Sequence, residues 1–129
     1  MKNLILIVVL AIMSCTLTAQ DDRIEGLKKD FITKELELTS QEADAFFPIY
    51  NEYSQKRKEA RKSLHREMKS LNSESNGSVD KIMDKEQDMV DIQKEYLDRM
   101  RKVIPERKVI KLIEAEKKFK MMLIQKLKG

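Results

Sequence analysis

The sequence predicts an all-α protein: an antiparallel hairpin of about four long helices, completed by dimerisation. Three observations carry this. The 129 residues include only three glycines and two prolines among many Lys, Glu, Leu and Met, a composition that favours helix. After residue 20 no β-branched run alternates with polar residues, so there is no strand signal. Apolar residues instead recur at spacings of three and four on both sides of one polar turn, Asn72 to Gly77. A hairpin of about 109 residues buries little core alone, and a second copy would complete it.

The elements follow in order. Met1-Lys2-Asn3 is a short basic start, Leu4 to Met13 is unbroken and apolar, and Ser14 to Gln20 is a small, polar exit before Asp21-Asp22. This is the order of a secretory signal peptide, with cleavage after Ala19 or Gln20. The apolar run is shorter than the roughly 20 residues a spanning helix needs, so no membrane insertion is expected after cleavage. The expected domains are therefore a signal peptide over 1–20 and a single all-α domain over 21–129. The mature chain would be exported, with a net charge of +3 and no thiol. Ile12-Met13-Ser14-Cys15 loosely resembles a lipobox, so lipidation of Cys15 is a second reading of the same segment.

Residues 22–36 place Ile24, Leu27, Phe31 and Ile32 at helical spacing. Thr39-Ser40-Gln41-Glu42 then reads as a capping box: Thr39 caps the free backbone N–H groups and Glu42 reaches back. The stripe that follows is Ala43, Phe46, Tyr50, Tyr53, Ala60, Leu64 and Leu71, with Arg57 and Glu67 on it. This helix, ending near Leu71, would be roughly 48 Å long, and Pro48 should bend it or break its first turns. Ser78 caps a third helix with a stripe of Val79, Met83, Val90, Leu97, Met100 and Ile104. Pro105 suits the first turn of a fourth, carrying Val109, Leu112, Phe119, Leu123 and Leu127.

Charge is segregated. Residues 56–69 have a net charge of +5 and residues 101–128 of +7, while 21–45 and 78–98 are each −4. One reading is solvated helix faces that match their neighbours' charge. The other is a basic surface that attracts acidic or unfolded partners, with Arg57, Lys58, Arg61, Lys62, Lys108 and Lys111 as its candidate residues. Nucleic acid is not the expected partner, because the net charge is modest and the chain reads as exported.

Leu38-Thr39-Ser40-Gln41-Glu42, followed by Phe46, Phe47, Pro48, Tyr50 and Tyr53, resembles the Leu-Thr-x-x-Gln motif of the Spy/CpxP family of bacterial envelope-stress proteins. The resemblance is nearest to a Bacteroidetes-type branch labelled "sensor of ECF-type sigma factor". Its second motif is similar to Ile104-Pro105-Glu106-Arg107-Lys108. Two positions depart from the pattern: Glu42 stands where the family has Gln, and Ile104-Pro105 where it has Leu-Thr. The resemblance implies a periplasmic all-α homodimer. It also implies either an ATP-independent chaperone or a dedicated sensor in a sigma-factor circuit.

The remaining candidate residues have plainer readings beside the functional ones. Phe46, Phe47, Tyr50 and Tyr53 pack as core or line a client surface. The six methionines after residue 20 fill core or form an adaptable face. His65 is the only histidine and has no partner at metal-ligand spacing, so no metal or other cofactor is expected. No nucleophile, acid–base set or phosphate loop points to an enzyme. The functional expectation is an exported protein that binds unfolded or stress-exposed envelope proteins without ATP. The alternative is a dedicated signalling partner with no general chaperone activity.

Overall fold

The computed structural model of the chain describes residues 23–73 and 79–128. The expected signal segment 1–20, with Cys15, Ser78 and most of the polar turn, lies outside the described residues. All the described elements are helices, with no strand among the described residues. Helix α1 covers residues 23–35, α2 is Ser40–Ser73, α3 is Val79–Arg101 and α4 is Glu106–Lys128.

The junctions are built from local chemistry. Glu37 ends α1 with a left-handed backbone, φ 51°, and its N–H donates to the Lys34 carbonyl at 3.2 Å. Thr39 opens α2 with the predicted capping box. The Glu42 N–H donates to Thr39 Oγ1 at 3.1 Å, and the Thr39 N–H donates to Glu42 Oε1 at 3.0 Å. Pro48 does not break α2, which runs through it to Ser73. Proline removes the N–H that would bond the Asp44 carbonyl, but both residues are exposed, so water can satisfy that carbonyl. Pro105 sits one residue earlier than the first-turn position. Its carbonyl accepts from the Lys108 and Val109 N–H groups at 2.9 and 3.3 Å, which makes it the cap of α4.

The fold groups into two compact units. One comprises residues 38–110. In it α2 and α3 lie antiparallel, with Glu52 opposite Tyr96 and Arg99. Its core is Phe46, Phe47, Tyr50 and Tyr53 from α2, with Tyr96, Met100, Ile104 and Val109. The other comprises residues 23–37 and 111–128. Its buried residues are Ile32, Leu36, Leu112, Ala115 and Phe119, and the Phe31 and Phe119 rings meet at 5.5 Å. Lys118 donates to Glu35 at 3.0 Å, and Lys28 pairs with Glu116 at 3.7 Å.

The predicted stripe of α3 holds at its end, where Met100 and Ile104 are buried, but the seam differs from it before them. Val79, Met83 and Val90 are 71%, 58% and 44% exposed. The face turned inward carries Ile82, Met89, Ile92, Tyr96 and Met100, a spacing of seven, three, four and four. The helix carries two apolar stripes offset by one position. The one that packs includes Tyr96, whose ring lies 5.6 Å from Tyr53.

Candidate functional site

The outward face of α2 gathers three of the predicted basic residues, with His65 and Arg66 beside them. Lys58, Arg61, Lys62, His65 and Arg66 follow a spacing of three, one, three and one. On a helix this puts them within an arc of about 140°. All five are exposed, and they line an open depression of about 500 Å³. The half-buried Ala60, Leu64 and Glu67 occupy the opposite side of the helix. The seam thus leaves a cationic face turned to solvent, with aliphatic stems as its floor and charged heads at its rim.

The other predicted basic residues sit elsewhere. Arg57 is half-buried, its guanidinium 4.5 Å above the Tyr53 ring and donating to the Tyr53 hydroxyl at 3.2 Å. Lys108 is only 9% exposed, and its Nζ donates to Glu42 Oε1 at 2.7 Å. Neither belongs to the solvent-facing basic surface, because each is drawn into the packing by a specific partner. Lys111 is exposed, but it lies in the unit formed by residues 23–37 and 111–128. Of the six, the structure brings together Lys58, Arg61 and Lys62, and adds His65 and Arg66 to them.

The residues that carry the resemblance divide between caps and core. Thr39 and Glu42 cap α2, and Pro105 caps α4. Phe46, Phe47, Tyr50 and Ile104 are buried, Leu38 is half-buried, and Pro48 is exposed. The rings form a continuous series: Phe46 to Phe47 at 5.1 Å, Phe46 to Tyr50 at 5.5 Å, and Tyr50 to Tyr53 at 6.3 Å. These aromatics are core and do not line a client surface. The methionines split differently: Met100 is fully buried, while Met68, Met83, Met121 and Met122 are exposed.

One polar constellation was missed at the sequence level. Tyr96 donates to Glu52 Oε1 at 2.9 Å, and Arg99 donates to Glu52 Oε2 at 3.2 Å while lying 4.8 Å above the Tyr96 ring. The hydrogen bond from Tyr96, then that from Arg99, holds the Glu52 carboxyl below its usual range. Burial, then the Glu52 contact, pushes the Tyr96 phenol up. Reading Ile82–Met89–Ile92–Tyr96 as the stripe would have put Tyr96 on the seam, with Arg99 one turn on. Among the described residues, no three His, Cys, Asp or Glu side chains converge on a point that could hold a metal ion.

No protein-family model, curated protein or solved structure matches this chain.

Proposed function

We propose that the protein is an exported, homodimeric binding protein of the Spy/CpxP type, which holds unfolded or stress-exposed envelope proteins without ATP. One observation supports this most: the exposed cationic face of Lys58, Arg61, Lys62, His65 and Arg66, which has no acid within its arc. Such a face attracts acidic, unfolded segments rapidly and releases them easily, because screened surface charge raises encounter rates more than affinity. The exposed Met68 lies at the far end of the same helix and gives an apolar segment an adaptable contact.

The test is light scattering from a denatured model protein with the purified chain added and no ATP, alongside sedimentation to establish the dimer. Suppression near equimolar dimer is expected, with client association slowing as salt is added. Reversing Lys58→Glu, Arg61→Glu and Lys62→Glu together should slow association by about 10-fold or more while leaving helicity intact. Arg57 is left untouched, because its contact with Tyr53 would confuse capture with folding. No suppression from a folded dimer would sink general holding and turn the search to a dedicated signalling partner.

A further inference from the structure

We infer that the solvent face of the last three turns of α4 docks on an anionic phospholipid surface. The face is Lys117, Lys120, Met121, Ile124, Leu127 and Lys128, all exposed. Their spacing places them within an arc of about 120° along roughly 16 Å of helix. The same stretch buries Phe119 on its other side, and Lys118, Met122, Gln125 and Lys126 outside the face are exposed as well. Met121, Ile124 and Leu127 are 57%, 37% and 87% exposed. No acid follows Glu116 in the chain. Three apolar side chains interleaved with three lysines suit a bilayer interface. The apolar groups enter the headgroup boundary, and the lysine stems bend back to place their charges on phosphates.

Charge selects this occupant over a second copy. A two-fold contact through this face would set its lysines against the same lysines. No described helix is long and apolar enough to cross a membrane, so the docking is peripheral. It is independent of client capture by α2.

The experiment uses the full chain with Cys15→Ser and a polarity-sensitive fluorophore at Ile124→Cys, or at Gln87→Cys on α3 as the control position. Vesicles of phosphatidylglycerol with phosphatidylcholine should blue-shift the probe at 124 and leave the probe at 87 unchanged. Pure phosphatidylcholine vesicles should shift neither. Lys117→Gln, Lys120→Gln and Lys128→Gln together should weaken the apparent vesicle affinity on the order of 100-fold. Helicity should hold, because all three residues are exposed. The proposal is overturned by no shift at 124, by equal shifts at 124 and 87, or by equal shifts with neutral lipid. A shift without vesicles that grows with protein concentration would assign the face to a second copy instead.

Discussion

Glu42 links three parts of one unit through a single carboxylate. It closes the capping box on Thr39 and accepts from the nearly buried Lys108 at 2.7 Å. The Lys108 hydrogen bond, followed by the Thr39 backbone N–H, holds its carboxyl below the ordinary value of 4.5. Glu52 is held down in the same direction, first by Tyr96. The sign of the linkage follows. A carboxylate whose folded pKa lies below its unfolded one adds stability that is fully present above the unfolded value, and that stability is lost as pH falls through the folded value. Thermal melts should therefore show the midpoint falling as pH drops below about 4.5. Glu42→Gln with Glu52→Gln should lower the midpoint at neutral pH and flatten that acid limb. An acid limb as steep as the parent's would place the sensitivity on other carboxylates.

On the scale of the element, α3 shows how a helix chooses its inward face. Both stripes have helical spacing, and hydrophobicity alone does not separate them. Tyr96 decides, because its ring meets Tyr53 and its hydroxyl finds an acceptor in Glu52. A buried tyrosine needs such an acceptor, and the other stripe offers α2 no equivalent group. Tyr96→Ala should cost about 3–5 kcal/mol of stability, the range for deleting a large buried ring. Met83→Ser, on the exposed stripe, should stay within about 0.5 kcal/mol. Chemical denaturation of both variants checks the assignment, and the reverse order would restore the originally predicted seam. The proline in α2 belongs to the same scale. It interrupts one hydrogen bond on a wet face, so the helix survives where a buried proline would have broken it.

At the scale of the molecule, buried side chains are unevenly spread along the chain. Residues 46–60 hold four of the buried apolar side chains, Phe46, Phe47, Tyr50 and Tyr53, and residues 23–35 hold one, Ile32. Local stability follows the density of buried contacts. Amide hydrogen exchange in residues 23–35 should therefore run ahead of exchange in residues 46–60, with mass spectrometry of peptides as the readout. Uniform protection across both would mean that the chain opens only as a whole. The same scale explains the predicted basic residues. Segment charge was readable, yet which cations face water depended on the seam. Lys58, Arg61 and Lys62 remain outside, while Arg57 and Lys108 are drawn in by Tyr53 and Glu42.

The all-α class, the helix boundaries near Thr39 and Pro105, and the spacing of the aromatics along α2 were determined by the sequence alone. Caps, breaks and strong periodicity act between residues a few positions apart, and that information is local. The inward face of α3, the burial of Lys108 and the gathering of four cations and His65 around one depression were decided only by tertiary structure. Each depends on a partner 44 to 66 residues away, or on which side of a helix such a partner leaves free. No spacing rule within one helix contains that information, because either face could have been buried until the other helix supplied its ring, carboxylate or hydroxyl.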